Sequence, residues 1–208
     1  MSCKNQSNSK STLTTIGISG RESSILSKEQ TTIYEIDVPF NWICIEPSIG
    51  NTLLDTKKPI YELVIENEEG DDEEDIHITI HNFPNHSIEE RIPPNAQINR
   101  WKQQFTILEE ANTQISKQSF GGFKGLKFQG VGKIKEEDKM MIGWIMQLPH
   151  EHYYALGFPE KNRSQLYNLC ADYTIKVIGP PEMIMKHQKS IEKAVQTFRL
   201  YKEIPKAL

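Results

Sequence analysis

The run Ile76-His77-Ile78-Thr79-Ile80-His81 alternates large apolar and polar residues without a break. A period of two puts every isoleucine on one side of an extended strand and every polar residue on the other. Such a segment has to be a half-buried strand, and its neighbours follow the same rule. Ile33-Tyr34-Glu35-Ile36-Asp37-Val38 alternates until Pro39 stops it. Trp42-Ile43-Cys44-Ile45 follows at once, as a tight hairpin or a bent continuation, and residues 60–65 form a third run. Further strand-like runs occupy residues 114–120, 124–131, 140–148, 152–158 and 172–178. Gly121-Gly122 supplies the turn between the first two of these.

Only two segments change period. From Asn95, read as an N-cap, Ile98, Trp101 and Phe105 recur at spacings of three and four, which predicts a helix of about three turns. Arg100, Lys102 and Gln103 face away from that stripe. After Gly179-Pro180-Pro181, a second helix aligns Ile184, His187, Ile191, Val195 and Phe198. Few helices between antiparallel strands predict an α+β fold, one domain over residues 31–208. At 208 residues a chain buries enough surface to need no disulfide or metal scaffold. Three scattered cysteines supply neither, and Cys44 and Cys170 read as small buried hydrophobes.

Charge is unevenly placed. Of the net −4, eight acids fall within residues 66–75, between the third and fourth strands. The remainder of the chain carries 24 basic against 20 acidic residues. A solvated hairpin loop, or a docking flap for a basic partner, is expected there; the EF-hand spacing is not met. Nothing forms the clustered basic surface that nucleic acid needs. No apolar run approaches the 18 residues of a membrane span.

Residues 1–30, rich in serine, read as a disordered polar tail. Its opening, Met1-Ser2-Cys3-Lys4-Asn5, resembles the mature start of a bacterial lipoprotein, in which the cysteine carries the lipid and the polar run is a tether. That reading places the protein at the cell envelope as a peripheral membrane protein. An ordinary tail whose third residue happens to be cysteine leaves it cytoplasmic.

Three stretches resemble a known group. Val38-Pro39-Phe40-Asn41-Trp42 is similar to the "VP-x-x-W" opening of PsbP-like domains. Asn95 through Phe105 is similar to the "N-x-x-RW-x-x-QF" helix of bacterial, often lipoprotein-like, relatives of PsbP and of the Ran-binding Mog protein. Tyr173 through Pro180 resembles their closing "K-x-x-GP" strand. The resemblance implies an α/β/α sandwich with a central, largely antiparallel sheet, and no particular activity. The approach to the helix, residues 87–94, departs from the group's glycine-rich pattern.

Candidate sites follow from side-chain chemistry. Asn99, Arg100 and Gln104 ride the Trp101 helix, where arginine and glutamine one turn apart suit a carboxylate or a partner backbone. The alternative is that they fix the helix on the sheet. His77 and His81 share a strand face, and with the His150-Glu151-His152 motif would be the nearest thing to a metal site, though Pro149 favours a turn there. No nucleophile motif, phosphate loop or cofactor signature is present, so catalysis is not expected. The expected function is a non-catalytic binding or assembly module for a protein partner, membrane-tethered through Cys3. The alternative is a small-molecule or metal-binding protein, an enzyme included, using the His77/His81 face.

Overall fold

The computed structural model describes residues 12–21, 32–45, 55–67, 74–85, 89–151 and 168–201. Among the described residues eleven strands form two antiparallel sheets. The small one orders β1 (Leu13–Ser19), β2 (Thr32–Pro39) and β11 (Arg199–Leu200) as β1-β2-β11. The large one contains β3 (Ile43–Ile45), β4 (Tyr61–Ile65), β5 (Ile76–Phe83), β6 (Ile107–Leu108), β7 (Gln114–Phe120), β8 (Phe123–Ile134), β9 (Glu137–Gln147) and β10 (Asp172–Gly179). Its order is β3-β4-β5-β10-β9-β8-β6, with β7 also paired to β8. Helices α1 (Pro94–Lys102) and α2 (Pro181–Gln196) complete the described elements, with a short 3-10 turn at Glu110–Asn112.

Alternation along β9 divides the core. Met140, Ile142, Trp144 and Met146 join one apolar cluster with Ile175 and Val177 of β10, Ile184 and Ile191 of α2, and the buried face of β2. Met141 and Ile145 turn to the other side and pack with Ile98, Trp101, Phe105 and Phe128 beneath α1. Among the described residues the large sheet thus carries α1 on one face and α2 on the other, an α/β/α arrangement within a sheet-dominated α+β fold. Strand after strand could be apolar on both faces here because both faces of β9 are covered.

Several expectations change. Leu13–Ser19, within the stretch read as a polar tail, is a strand in register with β2, Ile16 opposite Ile36 and Ile18 opposite Tyr34. Its two isoleucines and β-branched threonines are strand formers that the serine-rich flanks obscure. The chain also leaves one sheet for the other at residues 40–42: β3 pairs with β4 and not with β2, so neither a hairpin nor a simple bend is formed. Asn95 is not a cap, since the helix starts at Pro94 with Pro93 before it and no side-chain capping bond. Proline suits that first position because it has no N–H to leave unpaired. Phe105 belongs to the stripe but lies past the helix end, still buried. Cys44, read as buried, is exposed on β3, a strand at the sheet edge; Cys170 is buried, and both are free thiols.

The turns are more local. Gly121 and Gly122, at φ 57° and 84°, make the tight β7–β8 connection in a region that glycine enters freely. The β8–β9 turn asks the same of Lys135 and Glu136, at φ 51° and 67°, where a side chain is strained.

Candidate functional site

Trp101 seats α1. Its ring fills the space over Gly143, where an added Cβ would lie 2.0 Å from the ring. Glycine at that point of β9 is what lets a helix carrying tryptophan lie close to the sheet. Asn99, Arg100 and Gln104 are then exposed, and among the described residues none of the three side chains bonds to the fold. Lys102, on the same helix, is engaged with Glu110 at 3.1 Å. Gln104 follows the helix rather than sitting in it, its backbone N–H donating to the Trp101 carbonyl at 3.0 Å. The result is a firmly seated helix with an outward amide–guanidinium group.

The histidines divide. His77 and His81 share a face of β5, as alternation requires, but His77 is exposed and His81 half-buried. His81 Nε2 lies 3.3 Å from the Lys57 carbonyl, and its ring stacks on Phe83 at 6.4 Å. Burial pushes the His81 pKa down to about 4, opposed by the Lys57 carbonyl and helped by the charges of Arg21 and Lys176. His150 is exposed in a helical turn, and His152 lies outside the described residues, as do Cys3 and the strand expected at 152–158. Among the described residues no three His, Cys, Asp or Glu side chains come together as a metal site.

Two buried polar centres brace the sheet. Arg91 donates to both oxygens of Asp172 from Nε, at 3.0 and 3.1 Å, and again from its terminal nitrogen. Gln147 adds a bond to Asp172 at 2.9 Å and one to the Ile92 carbonyl at 3.2 Å. Burial raises the Asp172 pKa while Arg91 and Gln147 draw it back, leaving it above the usual carboxylate range. This centre fixes residues 91–92, the approach to α1, on the end of β10. Arg21 is the second centre, 1% exposed, donating to the carbonyls of Asn82 at 3.2 Å, Asp55 at 2.6 Å and Lys58 at 2.6 Å. Its backbone exchanges two 2.7 Å bonds with the Asn168 side-chain amide, and the Asn168 backbone carbonyl accepts from the Tyr34 hydroxyl at 2.8 Å. The sequence reading missed both, because neither partner set is local in the chain.

At the opposite end of the large sheet from α1, a cleft of about 220 Å³ opens between β4 and α2, lined by Asn41, Ile65, Glu66, Asn67, Met183, Lys186 and His187. Drug-sized ligands occupy roughly 300 Å³ or more, so it suits a side chain better than a cofactor. The acidic run starts here. The Asn67 N–H donates to Asp75 at 3.0 Å, closing the base of the connection between β4 and β5, and Glu74 pairs with the buried Lys139 of β9.

No protein-family model matches the chain, and no curated protein matches it. Solved structures do. LpqN, involved in cell envelope biogenesis of Mycobacterium tuberculosis, is similar with a TM-score of 0.51 and 10% identity, over 80% of this chain and 82% of that one. The cyanobacterial PsbP, CyanoP, of Synechocystis sp. PCC 6803 aligns at a TM-score of 0.47 and 10% identity, over 97% and 98%. At this identity the likeness is one of fold. The α/β/α arrangement with a largely antiparallel sheet that the motifs imply is present among the described elements. Activity does not travel with it.

Proposed function

We propose that the chain is a non-catalytic binding module that offers Asn99, Arg100 and Gln104 to a protein partner at the cell envelope, held there by a lipid on Cys3. The observation that carries this is the helix itself. Arg100 is exposed and unengaged among the described residues on an element anchored by Trp101 over Gly143. A rigid support lowers the ordering cost of presenting a planar, multiply donating guanidinium to a carboxylate or carbonyl. The envelope role stated for LpqN, a protein of similar fold, supports the location.

The test is affinity purification from native cells with the tag at Leu208, leaving Cys3 free. One stoichiometric partner in the membrane fraction is expected. It should be lost on Arg100→Ala/Gln104→Ala, with the melting temperature unchanged, and Cys3→Ser should move the protein to the soluble fraction. A partner retained by the Arg100/Gln104 variant would overturn the site, and a Cys3→Ser protein still in the membrane fraction would overturn the anchor.

A further inference from the structure

Lys176 stands in register with Gly143 of β9 on one side and Thr79 of β5 on the other. Side chains paired in this way share a face of the sheet. Trp101 covers Gly143, so Lys176 and Thr79 lie on the α1 side, just beyond the tryptophan. Among the described residues the half-buried Lys176 forms no ion pair and no side-chain hydrogen bond. Desolvation lowers its pKa, as burial of an unpaired cation must. The Thr79 hydroxyl oxygen is fully buried and is likewise without a partner among the described residues. A charge and a hydroxyl taken out of water with nothing to meet them cost free energy. One acceptor oxygen group placed between them relieves both costs.

Thr174 comes next on the same face of β10, 4% exposed and in register with Ile145 and His81. It lines a notch of about 10 Å³ together with Phe83, Ile92, Gln97 and Ile145. That volume holds about one water-sized group, such as a methyl. Alternate residues of a strand repeat every ~7 Å, which sets the distance from the notch to Lys176. The charges around this row are few. Asp172, which borders the notch, is engaged by Arg91 and Gln147. His81, with its pKa near 4, is neutral at pH 7, and His77 is exposed. Glu62 of β4 lies one strand beyond Thr79 and does not pair with Lys176. Lys176 therefore calls for a single negative charge, and Glu62 would repel a second.

We propose that Lys176 and Thr79 bind the carboxylate of a small organic acid whose apolar end enters the notch at Thr174. The carboxylate oxygens would accept from the Lys176 ammonium and the Thr79 hydroxyl. The chain would pass Thr174 and lie against Phe83, Ile92 and Ile145. A straight chain of about five carbons spans the ~7 Å between the two points. The same surroundings disfavour two other ligands. A phosphate dianion would leave one charge uncompensated beside Glu62. A long fatty acid would exceed a notch of this size. The site asks nothing of Asn99, Arg100 or Gln104.

The probe is pentanoate, titrated into the full chain by calorimetry, with inorganic phosphate and pentylamine as controls. Saturable binding of pentanoate is expected, with neither control competing and with acetate and decanoate at least tenfold weaker. Lys176→Met keeps the length of the side chain and removes its charge, and should weaken binding at least tenfold. Thr79→Val should weaken it several-fold. Without ligand, Lys176→Met should melt at or above the temperature of the parent, because an unpaired half-buried charge is gone. Pentanoate should raise the melting temperature of the parent and leave that of the variant unchanged. No binding of pentanoate, undiminished binding by Lys176→Met, or equal binding of phosphate would sink the proposal. So would a Lys176→Met protein that melts well below the parent, since its ammonium would then already have a partner in the fold. The Arg100→Ala/Gln104→Ala protein should bind pentanoate as the parent does, so this site and the α1 site fail independently.

Discussion

His81 lies on the polar face of β5, yet its surroundings treat it as an apolar residue. With its pKa near 4 in the fold and about 6.5 in an unfolded chain, it is neutral in both states above pH 7. As the pH falls through 6.5 the unfolded chain takes up a proton and the folded one does not, so stability is lost between pH 6.5 and 4. This single group contributes a loss of about 2 kcal/mol or less between pH 7.5 and 5. His81→Gln keeps a donor near the Lys57 carbonyl and does not titrate. Urea unfolding at the two pH values should show that the variant loses less stability than the parent by about that amount. Equal losses would mean that His81 is solvated in the fold.

At the scale of elements, the seating of α1 decides whether its outer face is presented at all. An added methyl at Gly143 has no room beside the Trp101 ring, so Gly143→Ala should destabilise by about 2–3 kcal/mol and loosen the helix. Trimming the opposing ring in Gly143→Ala/Trp101→Leu should cost less than the two single changes added together, since the clash is shared. Chemical denaturation of the four proteins measures this; strict additivity would place the ring elsewhere. The same pair shows what a sequence reveals. Trp101 and Ile98 announced a buried stripe by their spacing, as the isoleucines of β5 announced a strand. The Gly143 end of the contact was silent, because close approach is a property of two segments brought together. Ile107–Leu108 and Arg199–Leu200 were illegible for a related reason: two residues hold no period, and these strands exist only through their pairing to β8 and β2. Likewise, Trp42-Ile43-Cys44-Ile45 reads as apolar and therefore buried. Only its position at the end of the sheet order exposes Ile43, Cys44 and Ile45 while Trp42 stays in the core. Arg100 was legible as an outward residue because it falls off the Trp101 stripe, whereas the spacing left open whether Asn99 and Gln104 face outward or fix the helix on the sheet.

Across the whole molecule, the small sheet is tied to the large one by a residue that composition assigns to a tail. Arg21 follows β1 and reaches the carbonyls of Asp55, Lys58 and Asn82, segments otherwise distant in the chain. Burial draws its pKa down, with Asp55 in opposition, so the guanidinium is held by carbonyl dipoles more than by a paired carboxylate. Removing it leaves those carbonyls without their donor, each worth roughly 1–3 kcal/mol when buried. Arg21→Ala should therefore destabilise by about 3–5 kcal/mol. Arg21→Lys should recover only part, because an ammonium cannot match the spread of three acceptors that the planar fork meets. Deleting residues 1–30, which would be harmless to a true tether, removes both β1 and this lock. It should lower stability by more than Arg21→Ala does, since the strand facing Ile36 and Tyr34 goes with it. Thermal and denaturant unfolding of the three variants orders them. A truncated chain as stable as the parent would show that β1 and Arg21 contribute nothing to the fold and that the tail does extend through residue 30.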